Sequence, residues 1–234
     1  METMNKKGIC YGVGIGPGDP ELLTVKAVRV LTDCAIIATP QTKSGEMLAL
    51  DIAKGAVNMS GKRIIPLFFA MDRDKAVVHA AHVKAAELIR AELDKGLDVA
   101  MLNLGDVSVY ATWCYVMDIL NEWGYETVMV PGITSFCATA ARLGISLTDM
   151  NSAIHIAPGS RPMDEILNLD GTKILMKSGK QLPEVIEELK KRGLLEKSAL
   201  VRNCGLPGEA AYPDLSKDVP DADAGYFVTM VVKE

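Results

Sequence analysis

The chain has 234 residues, 49% of them hydrophobic and 24% charged, enough to bury a sizeable core as one large domain or two small ones. Its net charge of -5 argues against a surface built mainly for nucleic acid, and a polyanionic ligand would need a local positive pocket. No run approaches the ~18 apolar residues of a membrane span, and glycines interrupt the N-terminus before a secretory leader can form, so the expectation is a cytoplasmic protein with no membrane partner. The five cysteines lie far apart, without a CxxC pair, and read as buried small hydrophobes in a reducing compartment.

Residues 9–15 are apolar and β-prone and run into Gly14-Ile15-Gly16-Pro17-Gly18-Asp19-Pro20. The spacing fits neither common phosphate loop. A Walker loop needs Gly-Lys-Ser/Thr, and a dinucleotide loop opens a helix at its last glycine, which Pro17 and Pro20 prevent. A rigid loop lining a pocket is the better reading. Thr24 can cap the first helix. Strands are expected at 35–38 and 63–67, helices at 46–57 and 73–93. The last of these carries His79 and His82 on one face, without a third metal ligand in view.

An apolar strand at 99–104 then stops at Gly105-Asp106, before Ser108, Tyr110 and Thr112 and a helix at 113–123. Ligands bind at such strand ends in open α/β sheets, although Gly and Asp also make ordinary strand-to-helix turns. The pattern restarts with a strand at 127–130, and Thr134 or Ser135 caps a helix over 136–143. Strands follow at 153–157, 173–176 and 198–202, helices at 163–169 and 182–191, and a last, antiparallel strand at 226–232. The charges of 187–191 form a solvated face, and 207–224 reads as a polar surface loop. The order gives an α/β protein with largely parallel pairing in two halves, 1–115 and 116–234.

Five segments together carry more than any one alone: 11-YGVGIGPGDPELLTVKA-27, 104-LGDVSVYATW-113, 131-PGITSF-136, 174-ILMK-177 and 226-YFVTMVV-232. They span nearly the whole chain, which resembles the tetrapyrrole methylases, S-adenosylmethionine-dependent enzymes that methylate cobalamin precursors. The YATW, ILMK and YFVT segments resemble the branch that methylates C20 of precorrin-2 or its cobalt form. Val107 departs from the family's proline after Gly-Asp, and Val228 from the serine of that branch.

The resemblance implies two α/β domains of the tetrapyrrole methylase type with the cofactor in the cleft between them, a tetrapyrrole substrate, S-adenosylhomocysteine as product, and a homodimer. Carried over by position, the cofactor contacts are Pro17 in the glycine-proline loop, then Leu104, Gly105, Asp106 and Val109 in the central turn. Thr134 and Ser135 follow at a helix start, then Met176 and Gly205. No metal site is implied. The chemistry is an in-line displacement in which positioning does most of the work. Tyr110 is the candidate group at the reacting centre, able to donate or accept a hydrogen bond as C20 loses its proton. Arg161, Lys177 and Arg202 are candidates for the substrate's carboxylates, each equally readable as a solvated surface charge. His155, alternating with Ile154 and Ile156, faces either a surface or a satisfied core site. The rivals are another methylase of the same fold, acting at a different ring position, on ribosomal RNA ribose or on a modified histidine, and a non-catalytic nucleotide-binding module.

Overall fold

The computed structural model describes residues 6–220 and 225–233. The chain divides into two units, Met1–Thr134 and Ser135–Glu234.

In the first unit β1 (Cys10–Gly14), β2 (Ile36–Pro40), β3 (Arg63–Leu67), β4 (Val99–Asn103) and β5 (Thr127–Val130) form one sheet in the order β3-β2-β4-β1-β5. Every pairing in it is parallel, as the strand-helix alternation requires. All of β4 is buried, and its residues 99–102 form a continuous apolar run that ends at Asn103. The helices are α1 (Val25–Asp33), α2 (Leu48–Lys54), α3 (Lys75–Leu93) and α4 (Trp113–Glu122). Thr24 caps α1, accepting from Ala27 N at 3.1 Å. Asp74 caps α3 by accepting from Ala76 N at 2.8 Å, so that helix starts two residues later than its periodicity suggests.

Cys10, Met101, Ile89, Leu93, Val116 and Leu120 join the core between the sheet and the α3 and α4 helices. Trp113 is fully buried there, its indole against β1 at Gly12, where a Cβ would stand 2.2 Å from the ring. His82 is likewise buried, stacked on Tyr115 at 4.7 Å between centroids, while His79 is exposed. Burial, and then the neighbouring His79, push the His82 pKa down, which suits a neutral packed ring.

The two compact units divide between Thr134 and Ser135, later in the chain than the expected 115/116. α4 packs on α3, and β5 pairs with β1 from Cys10↔Thr127 to Val13↔Val130, so both belong to the first sheet's unit.

The second unit opens with α5 (Ser135–Leu143) and continues through β6 (Ile154–Pro158), α6 (Met163–Leu167), β7 (Thr172–Met176), α7 (Leu182–Lys191), β8 (Ser198–Arg202), β9 (Ala210–Tyr212) and β10 (Val228–Val232). The sheet order is β6-β7-β10-β8-β9. β6 and β7 are parallel, and β10 enters antiparallel between β7 and β8, as expected of the last strand. Leu175, Met230 and Leu200 stand in register across it and pack with Leu182, Val185 and Leu189 of α7. β9 corrects the reading of 207–224 as loop: Ala210–Tyr212 pair with β8 as a three-residue edge strand. Residues 221–224 of that segment lie outside the described residues. His155 resolves to a backbone tie, its Nε2 lying 2.9 Å from Asp170 O.

Of the cysteines, Cys10 and Cys34 are buried and Cys114 and Cys204 partly so, but Cys137 is exposed. It sits on the solvent side of α5 while Ala138, Thr139 and Ala140 turn inward. Burial pushes the Cys34 thiol up to about 12, consistent with an inert packed group.

Candidate functional site

In the first unit three strand ends converge. Beyond β1 the chain forms an isolated bridge, with Gly105 N donating to Gly16 O at 2.8 Å and Gly16 N to Gly105 O at 3.3 Å. Gly16 and Gly105 both have φ of +75°, a left-handed conformation that only glycine takes cheaply. The turn after β5 closes on the same point: a Cβ on Gly132 would lie 2.2 Å from Gly105 O, and one on Gly14 would lie 2.6 Å from Gly132 N. Three backbones therefore approach with no side chain between them. Sequence reading named Gly105 and missed Gly14 and Gly132 as a set; the signal was a glycine at each of three strand ends.

Pro17 is buried beside this bridge, and Leu104 and Val109 are partly buried. Asn103 is buried and holds the turn from beneath, Nδ2 donating to Leu104 O at 3.0 Å and Asp106 O at 3.2 Å. Asp106 accepts from Ser108 N, Ser108 Oγ and Gly132 N. Partial burial works against its charge, but these hydrogen bonds outweigh it and hold the carboxyl below the usual range, so Asp106 stays ionised and is no proton donor near neutrality. Tyr110 follows with φ of +49° and 46% exposure, on the open side of the turn. Thr134 ends the unit, its buried Oγ1 without a hydrogen-bond partner.

In the second unit, β6, β7 and β8 run in one direction and end together at Pro158, Met176 and Arg202, beside the start of β10. Ser135, the first residue of α5, accepts from Thr229 Oγ1 at 3.2 Å, and Thr229 is the β10 partner of Met176. Two of the expected contacts, Ser135 and Met176, are thus brought together through a residue that sequence reading did not single out. Lys177 leaves β7 with φ of +56°, and burial lowers its pKa. Arg202 pairs with Val228 across the sheet, and its buried Nε has no hydrogen-bond partner. Lys177 follows β7 and Arg202 ends β8, the strands on either side of β10, which sets their backbones roughly 10 Å apart by the usual strand spacing. Arg161 is different: its guanidinium is exposed and ion-paired with Glu165 at 2.5 Å. Gly205, with φ of +75°, gives its N–H to Glu209 Oε2 at 2.7 Å, and Glu209 also pairs with Arg142 of α5. The hydroxyl of Ser178 is fully buried without a partner, against Gly159.

No group of three metal-ligating side chains occurs among the described residues, and no helix there is long and apolar enough to cross a membrane.

The family model for tetrapyrrole (corrin/porphyrin) methylases matches residues 10–220. The chain is 30% identical over 233 residues to cobalt-precorrin-2 C(20)-methyltransferase of Salmonella typhimurium, covering 97% of each. It is 36% identical over 193 residues to the probable cobalt-precorrin-2 C(20)-methyltransferase of Methanocaldococcus jannaschii, covering 82% of this chain and 80% of the other. Among solved structures, uroporphyrin-III-C-methyltransferase of Thermus thermophilus superposes with a TM-score of 0.70 at 25% identity, over 97% of this chain and 94% of that one.

Proposed function

The chain belongs to the tetrapyrrole methylase family, and on that footing we propose that it transfers a methyl group from S-adenosylmethionine to C20 of precorrin-2 or cobalt-precorrin-2. The observation that carries this reading is likeness along the whole length to a named C20-methyltransferase, with 97% of both chains aligned. The segments 104-LGDVSVYATW-113, 174-ILMK-177 and 226-YFVTMVV-232 point to the same branch.

S-adenosylmethionine supplies an electrophilic methyl and its own leaving group, so the protein's task is to bind, orient and exclude water. Pro17, Leu104, Gly105, Asp106, Val109 and Thr134 in the first unit, and Ser135, Met176 and Gly205 in the second, are the proposed cofactor contacts. Two features support them. The side-chain-free packing of Gly14, Gly105 and Gly132 holds three strand ends against one another, and the orphan hydroxyl of Thr134 wants a partner that a polar ligand can supply. Orientation of this kind can account for as much as ~7–11 kcal/mol of a barrier. Tyr110 is proposed to accept the C20 proton on its phenol oxygen while its own hydroxyl proton passes to solvent, to which it is 46% exposed. Lys177 and Arg202 would take substrate carboxylates, and Arg161, already paired with Glu165, contributes less.

We further propose a cytoplasmic homodimer that needs no metal of its own. Calorimetry of the protein with S-adenosylhomocysteine, ATP and NAD tests the cofactor directly. Binding of S-adenosylhomocysteine alone is expected, and binding of ATP or NAD in its place overturns the reading in favour of a nucleotide-binding module.

A further inference from the structure

Asp106 directs its carboxylate into the protein. Oδ1 accepts from Ser108 N at 2.8 Å and from Ser108 Oγ at 2.5 Å, which closes its own turn. Oδ2 accepts from Gly132 N at 2.8 Å, which reaches the turn after β5, 26 residues on. Three of the roughly four lone-pair positions of a carboxylate are therefore filled before any ligand arrives. The same two turns also meet through the backbone, at a separation that leaves no room for a Cβ on Gly132. Asn103 fixes the Asp106 end by bonding its carbonyl. The carboxyl's downward pKa displacement agrees, since after burial's opposing effect the donors responsible are Ser108, the backbone of Gly132 and the backbone of Val107.

We infer that Asp106 is a positioning residue: through Gly132 N–H it fixes the turn after β5 against the turn after β4, and it shapes the S-adenosylmethionine seat without touching the methyl donor. The inference rests on the methylase reading and narrows it, taking Asp106 out of the direct contacts and making Gly132 the residue through which it acts. It also separates two effects a single binding loss would merge. A direct contact is lost only when ligand is present, whereas a displaced turn is altered in the ligand-free protein.

The test uses the full chain as wild type, Asp106→Ala, Asp106→Asn, Gly132→Ala and the Asp106→Ala/Gly132→Ala double variant. Amide hydrogen exchange at residue 132 is followed without ligand, and S-adenosylhomocysteine affinity is measured by calorimetry. Losing a charge-assisted hydrogen bond in the Asp106 variants, or forcing a Cβ against Gly105 O in Gly132→Ala, predicts a roughly tenfold or greater loss of affinity in each single variant. Exchange at Gly132 should quicken in Asp106→Ala before ligand is added, and the double variant should bind no worse than the weaker single one, because both changes displace the same turn, one by removing its tether and the other by driving a Cβ against Gly105 O. Asp106→Asn should fare no better than the alanine variant, since an amide nitrogen turned toward either N–H cannot accept. Unchanged exchange at Gly132, or losses that add in the double variant, overturn the inference by locating the carboxylate's effect on the ligand. Should Gly132→Ala fail to fold, the exchange rate in Asp106→Ala together with the asparagine affinity decides: rescue by asparagine, or unchanged exchange, overturns it. If the wild type binds no S-adenosylhomocysteine while Gly132 exchange still quickens in Asp106→Ala, the clamp holds and the methylase reading is what fails.

Discussion

Tyr110 carries a backbone φ of +49°, which costs a non-glycine residue on the order of 1 kcal/mol and persists where the surrounding turn dictates it. Buried Val107 and Ala111 fix the chain on either side, which presents the phenol at 46% exposure. Tyr110→Phe keeps the ring and removes only the hydroxyl. It should lower kcat by about 100-fold, the low end for a group assisting proton transfer, and leave S-adenosylhomocysteine affinity within about twofold. Full turnover would remove Tyr110 from the chemistry. The candidate cations separate at the same scale. Arg161 sits in an exposed ion pair of a kind worth ~0–1 kcal/mol, whereas Arg202 carries a buried, unpartnered Nε. Arg202→Ala should raise the KM for tetrapyrrole by about tenfold and Arg161→Ala by less than about threefold. Equal effects would contradict that ranking. Sequence alone could not make it, because Glu165 and the burial of Nε are facts of the fold.

Among the elements, two glycines of the first unit show how strand and helix come to fit. Gly12 lies against the indole of Trp113, and Gly124 ends α4 with φ of +76° in open space. Gly12→Ala should cost about 1–3 kcal/mol by forcing the buried ring aside. Gly124→Ala should cost only the left-handed strain, roughly 1–2 kcal/mol. Urea melts of both variants check the order. The turns also carry a pH dependence. Asp106, its hydrogen bonds outweighing burial, and Glu209, held by the N–H of Gly205 and then by Arg142, are both depressed below ordinary carboxylate values. A depressed native pKa adds stability that is complete above the unfolded carboxylate value, and is lost as pH falls through the native one. Acid melts should therefore show a stability loss beginning near pH ~4, and Asp106→Asn should blunt it. An acid limb identical to wild type would show that the turn carboxylate does not contribute.

The elements themselves were legible where one physical signal dominated. β4 announced itself as a fully buried run, α1 by the Thr24 cap, and β10 as a closing antiparallel strand. β9 was not, because three half-buried residues carry no period and take their register from β8. α3 began at Lys75, after the side-chain cap Asp74, which the apolar pattern of 73–93 conceals.

For the molecule as a whole, the α/β class and the two halves follow from strand-helix alternation, but the boundary does not. The pattern restarts near residue 126, yet β5 joins the first sheet because its partner is β1, more than a hundred residues earlier. A parallel strand's neighbour is set by long-range packing, which local periodicity cannot show. The same limit applies to the site. The turns at Gly105 and Gly132 were visible singly, and their meeting through Asp106 was not.

At this scale the methyl transfer itself is the deciding property of the protein. The protein is incubated with S-adenosylmethionine and either precorrin-2 or its cobalt-loaded form, and the product is followed by mass and by the position of the new methyl. The expected result is a gain of one methyl group at C20 on at least one form, dependent on S-adenosylmethionine. No gain on either form, or a methyl at another carbon, would contradict it.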